Sequence, residues 1–169
     1  MAISTLEDYK GFLGKVSERS GLDFTPDGDG LVSLRVDNAY TLNLQYVAAT
    51  SKILCFIDVA TLPKTCDKAV YRELLVGTLF GKDTAGGYFA LEGESETVVY
   101  NYLFDFDPVT IDPDETVAVI EKILSLVDVW AGRIDSLAQG SKPDAGLVLD
   151  KAGPEAGPKA DDLSKFMKV

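Results

Sequence analysis

The 169-residue chain contains no histidine, one tryptophan, two methionines and two cysteines. Without histidine, neither a Ser-His-Asp nor a Cys-His nucleophile system can be assembled, and the commonest metal ligand is missing. Cys55 and Cys66 lack the paired spacing of a zinc site, so no metal and no cofactor is expected. No apolar run approaches the ~20 residues needed to span a bilayer. The opening MAISTLEDYK has neither the basic n-region nor the apolar h-region of a secretory signal. The expected setting is the cytoplasm, with both thiols free.

Positive charge is also scarce. Sixteen Lys and Arg residues face 27 Asp and Glu, for a formal net charge of −11 and a pI near 4.4. Such a field repels phosphate backbones and anionic lipid, so neither nucleic acid nor a membrane is expected as a partner. It favours partners with basic, unfolded segments, and it serves solubility equally well.

Three motifs come near to chemistry and fall short. Asp27-Gly28-Asp29-Gly30 hints at a calcium loop. With Gly30 as the sixth loop residue, Val36 occupies the twelfth, where an EF-hand needs a bidentate glutamate; a plain turn is expected. Gly77-Thr78-Leu79-Phe80-Gly81-Lys82 has one residue too few between its glycines for a Walker loop, and Asp83 follows the lysine. It reads as a helix end. The acid pairs Asp105/Asp107 and Asp112/Asp114 flank a helix start and suit solvation and capping better than acid–base work. No catalytic residue is expected, and the chain reads as a binding protein.

What is present is clear periodicity. Ser4-x-x-Glu7 fits a capping box, followed by Leu6, Tyr9, Leu13 and Val16 at helical spacing, with Phe12 beside them and Gly21 as the stop. Gly11 and Gly14 within that helix suggest close approach of another backbone. Three strands follow: Val32, Leu34 and Val36 alternate with polar residues, as do Tyr40, Leu42, Leu44 and Tyr46, while residues 53–59 are apolar on both faces. The last pattern predicts a central strand covered on both sides, or one whose second face meets a partner.

A helix is predicted over residues 66–80, with Val70, Leu74 and Leu75 along one side and Tyr71 and Leu79 nearby. Two further strands span residues 88–91 and 97–106, the latter placing Tyr100, Tyr102, Phe104 and Phe106 on one face. The final helix opens at Asp112-Pro113-Asp114-Glu115, an N-cap followed by proline at the first helical position. Val117, Ile120, Leu124, Val127, Ala131 and Ile134 form its stripe, flanked by Ile123 and Trp130. From Gly140 the composition turns to Gly, Pro, Ala and charge. Residues 1–139 are therefore expected to form one domain and 140–169 a flexible acidic tail, in which Leu163, Phe166 and Met167 are spaced for a short docking turn but suit a frayed end better.

The order α-β-β-β-α-β-β-α predicts an α+β fold, an antiparallel twisted sheet with helices packed on it. The same order, with Leu74-Leu75 leading to Leu79-Phe80-Gly81 and then Thr84-Ala85-Gly86-Gly87-Tyr88-Phe89-Ala90-Leu91, resembles the class I type III secretion chaperones of the CesT (Tir chaperone) family. The resemblance covers about residues 3–138. It implies a homodimer that binds the N-terminal, non-globular segment of a secreted effector and keeps it soluble, with no need of ATP or metal. It places dimer contacts at Leu75, Leu79, Phe80, Tyr88, Phe89 and Leu91. It places effector contacts at Phe12, Leu13, Val32, Leu34, Leu42, Leu44 and Phe56, with Ser33 and Arg35 lining an open strand edge. By pattern alone, these apolar side chains also suit the core of a single chain. A regulatory or interaction protein similar to the YbjN group would share the fold.

Overall fold

The computed structural model describes residues 4–140. The expected tail, with Leu163, Phe166 and Met167, lies outside the described residues. The elements run α1 (Leu6–Ser20), β1 (Leu31–Val36), β2 (Tyr40–Val47), β3 (Lys52–Thr61), α2 (Lys68–Thr78), β4 (Tyr88–Glu92), β5 (Thr97–Asp105) and α3 (Pro113–Ala138). This is the α+β order that the periodicities predict. Every strand pairing is antiparallel, in the order β1-β2-β3-β5-β4, so β1 and β4 are the sheet edges.

Register divides the sheet into two unlike faces. One cross-strand row runs Leu34, Leu42, Ile57, Tyr100, Phe89. Side chains alternate along a strand, so this row belongs to the face that also holds Val32, Leu44, Cys55 and Phe104, all buried. The helices pack here: Tyr9 of α1 stacks on Tyr46 at 5.5 Å, and Trp130 of α3 meets Phe89 edge-on at 4.9 Å. The neighbouring row runs Ser33, Asn43, Phe56, Asn101, Tyr88 and points to the other face. Burying one large apolar side chain is worth about 1.5–3 kcal/mol, so the helix-covered face holds the fold together.

Local details depart from expectation in four places. The α1 capping box is Thr5 with Asp8, not Ser4 with Glu7. Ser4 is buried instead, its hydroxyl 2.9 Å from the Tyr46 hydroxyl, which also donates to the Ser4 carbonyl at 2.6 Å. A tertiary partner outcompeted the local cap. Helix α2 is shorter than predicted because the Asp67 carboxylate caps it, accepting from Ala69 N–H at 2.7 Å. The inward stripe of α3 is centred on Ile120, Ile123, Val127, Trp130 and Ile134, while Val117, Leu124 and Ala131 are only half-buried. Gly11 and Gly14 face open space, with nothing among the described residues outside the helix within 4 Å of where a Cβ would stand.

Candidate functional site

Helix α2 and strand β4 build an apolar surface at one edge of the sheet. Its inner side is fixed by α3. Gly77 is seated directly on Trp130, and a Cβ at Gly77 would lie 2.4 Å from the indole ring. The guanidinium of Arg133 stands over the same indole at 5.2 Å and pairs with the half-buried carboxylate of Glu73 on α2. Trp130 Nε1 donates to the Asp83 carbonyl at 2.9 Å, and Phe89 N–H donates to Thr78 Oγ1 at 3.3 Å, which ties α2 to β4.

With that side held inward, the rest of α2 points out. Leu75 is 74% exposed, Leu79 59% and Phe80 83%. Val76, Tyr88 and Leu91 are exposed as well, and Phe89 is half-buried. Leu75 therefore does not share the buried side with Val70 and Leu74, as its spacing suggested. Between α2 and β4 lies an apolar groove of about 150 Å³, lined by Tyr71, Leu74, Leu75, Phe89, Ala90 and Leu91. Of the six residues assigned to the dimer contact by resemblance, Leu75, Phe89 and Leu91 line this groove, Leu79 and Phe80 are exposed just past the end of α2, and Tyr88 projects from the other side of the same edge strand. Val76 belongs with them; the uncharged run 74–80 was the signal that could have found it.

The residues assigned to effector contact divide by face. Phe12, Leu13, Val32, Leu42 and Leu44 are buried among core side chains, filling the space between α1, the sheet and α3 and not the surface their assignment expects. Leu34 is half-buried at the margin of the same core. Ser33, Arg35 and Phe56 lie on the other face. Ser33 Oγ donates to Asn43 Oδ1 at 2.7 Å, and Asn43 Nδ2 donates to the Phe56 carbonyl at 3.3 Å. Leu54 and Phe56 of β3 are half-buried there, beside the exposed Leu103 of β5. The two-faced apolar run 53–59 predicted a central strand either covered on both sides or with its second face meeting a partner; the strand is central, and its second face carries these half-buried side chains.

The near-motifs are occupied structurally. Asp27 Oδ1 accepts from the N–H groups of Asp29 and Leu31, both at 2.9 Å, as a turn residue does. Asp112 caps α3 through Asp114 N–H at 2.9 Å, Asp107 accepts from Val109 N–H at 2.9 Å, and Asp105 pairs with Lys52. Burial pushes the Cys55 thiol up to about 12. Partial burial, with Asp67 and Glu96 nearby, also raises the Cys66 thiol. Neither sulfur is in the electropositive setting that activates a nucleophile. Among the described residues, no helix is long and apolar enough to cross a membrane.

Comparison with known proteins places this geometry. A Chlamydia pneumoniae protein, CPj0713/CpB0740, is 26% identical over 107 residues, covering 59% of this chain and 79% of that protein. Among solved structures, the ExsC–ExsE complex matches with a TM-score of 0.65 at 16% identity, covering 82% of this chain and 99% of the other. The HopA1–SchA chaperone–effector complex matches at 0.56 and 18% identity, covering 80% and 96%. The Yersinia pestis type III secretion chaperone SycH, solved with a fragment of YscM2, matches at 0.58 and 13%, covering 72% and 98%. These are likenesses of fold. The model of the Tir chaperone protein (CesT) family matches residues 11–131, most of the chain. With the sheet order and the apolar α2–β4 surface already in place, the chain belongs to the Tir chaperone protein (CesT) family.

Proposed function

We propose that this protein is a type III secretion chaperone: it binds the N-terminal, non-globular segment of a secreted effector and keeps it soluble and competent for export. The observation that carries the reading is the family match over residues 11–131. The molecule also has the means. Binding an extended segment needs apolar surface and free strand edges, not a reacting group. The open sheet face offers Phe56, Leu54 and Leu103, and the β1 edge, with Ser33 and Arg35, offers unpaired backbone groups to an added strand. The net charge of −11 favours a basic segment.

The chaperone acts as a homodimer in the cytoplasm, through the α2–β4 surface, and not as an enzyme. Residues 1–139 form the chaperone domain, and the stretch 140–169 is an appendage to it. The test is co-expression with the protein encoded beside it, followed by pull-down and limited proteolysis. Protection of an N-terminal fragment of that neighbour is the expected result. A neighbour that co-purifies with no protected fragment, or none that co-purifies, removes the effector reading.

A further inference from the structure

Phe80 is held in an unfavourable way that no packing among the described residues repays. Its backbone lies in the left-handed region (φ 57°, ψ 16°), which a bulky side chain adopts only when its surroundings force it. Yet its ring is 83% exposed. The forcing comes from the loop that follows. Gly81, at φ +65°, abuts Gly86 so closely that a Cβ would lie 2.7 Å from the Gly86 Cα, and Gly86 N–H donates to the Gly81 carbonyl at 3.0 Å. The buried Thr84 hydroxyl donates to the Gly87 carbonyl at 2.6 Å. Two core aromatics lock the loop from below: Tyr100 donates to the Thr84 carbonyl at 2.7 Å and Trp130 to the Asp83 carbonyl at 2.9 Å. Phe80 is thus a pre-ordered anchor, its conformational cost met before any partner arrives.

We propose that the Phe80 ring of each protomer fills the α2–β4 groove of the other, so that the dimer closes by a reciprocal exchange of two rings. This rests on the dimer reading above and adds to it a specific pairing. A two-fold interface must carry knob and hole on the same patch, and this patch does. The groove of about 150 Å³ matches the ~150 Å³ at which an apolar cavity takes up a benzene-sized ring. Phe80 stands just past the C-terminal end of α2, and the groove lies beside the Tyr71–Leu75 stretch of the same helix. An antiparallel pairing of the two α2 helices about a two-fold axis sets the end of one against that stretch of the other.

Charge selects a second copy as the occupant. Residues 74–80 and 84–91 contain no charged side chain. Two copies of a chain with net charge −11 can meet closely only on such neutral ground, whereas a basic segment is drawn to the acidic surfaces elsewhere. The exposed parts of Leu75, Val76, Leu79, Phe80, Tyr88 and Leu91 amount to roughly 600 Å² per protomer, if each side chain offers ~150–200 Å² when fully exposed. That approaches the ~800 Å² per partner of a standard interface.

The experiment uses the full chain and the variant Phe80→Gly. Glycine adopts positive φ without strain, so the protomer's thermal unfolding at high dilution should stay level or rise. The dimer dissociation constant, from analytical ultracentrifugation, should weaken at least ~30-fold, the loss of one hot-spot side chain. A cycle with Leu91→Ala should be non-additive in dimer dissociation. If the wild-type chain is monomeric at micromolar concentration, the dimer reading itself falls. If the wild type is dimeric and Phe80→Gly leaves dissociation unchanged, or weakens only effector binding, the ring exchange is overturned while the dimer stands. Additivity with Leu91→Ala overturns the groove as the ring's seat.

Discussion

Helices α2 and α3 are both opened by an aspartate cap and both carry apolar residues at helical spacing. They use those residues in opposite ways. α3 turns Ile120, Ile123, Val127, Trp130 and Ile134 into the core. α2 buries Val70, Leu74 and Gly77 and leaves Leu75, Val76 and Leu79 in solvent. The difference lies in what surrounds each helix. α3 lies over the central strand β3 with α1 alongside it. α2 sits at the sheet edge, in contact with β4 and one flank of α3, so among the described residues nothing covers the outer side of its apolar surface. Period identifies the residues that share a face. Position in the sheet decides whether that face meets the chain's own core.

The sharpest break in the comparison should come at Trp130, where the two helices meet. Trp130→Ala removes the seat of Gly77, the edge contact with Phe89 and the bond to the Asp83 carbonyl. A loss of about 3–5 kcal/mol is expected from urea unfolding. A loss below about 1 kcal/mol would mean that α2 is not anchored through this indole. Gly77→Ala tests the same seat from the other side. Its Cβ would stand 2.4 Å from the ring, and overpacking should cost about 1–3 kcal/mol. A neutral or stabilising outcome, as for an exposed helical glycine, would show that α2 can slide off α3 freely.

A smaller effect separates the covered face by pH. Burial raises the Cys55 thiol from its ordinary 9.0 to about 12 and also pushes the Tyr9 and Tyr100 phenols up. In each case the folded state holds the proton more tightly than the unfolded chain. The stability this gives is complete below pH ~9 and declines as pH rises toward the folded value. Cys55 alone should remove on the order of 1 kcal/mol by pH 10. Urea midpoints that stay flat from pH 8 to 10 would contradict a buried thiol at this position.

Much of the fold was legible because strands and helices here obey their periods. Leu42 and Leu44 alternate as predicted, and the Asp112-Pro113 start of α3 lies where the cap chemistry put it. The errors share a cause. Ser4 left its cap for Tyr46, forty-two residues away, and Leu75 looked inward by spacing yet points out. Both depend on what stands opposite in space. The site shows the same division. Of the residues the resemblance named, Leu75, Leu79, Phe80, Tyr88 and Leu91 are exposed and Phe89 is half-buried, whereas Phe12, Leu13, Val32, Leu42 and Leu44 lie in the core. An apolar residue on a regular period carries no mark of whether its partner is intramolecular. The mark that did exist was negative: the absence of charge across residues 74–80 in a strongly acidic chain.

Leu75→Asp should have the smallest effect on the protomer and is the most telling for the comparison. Leu75 is 74% exposed, so replacing it touches little of the fold, and a surface substitution of this kind shifts stability by within about 0.5 kcal/mol. In a symmetric dimer the same change appears twice, placing two carboxylates on neutral ground where like charges cost several kcal/mol when brought together. The expected result is a well-folded monomer, with an unchanged thermal transition at high dilution and a molar mass by light scattering that halves. The equivalent change on α3, Ile123→Asp at a fully buried position, should abolish folding because it buries an unpaired charge. If Leu75→Asp also unfolds the chain, the outer side of α2 belongs to the protomer core and the contrast between the helices disappears. If it folds and remains dimeric, the copies meet elsewhere, and the neutral surface of α2 and β4 is left for the effector.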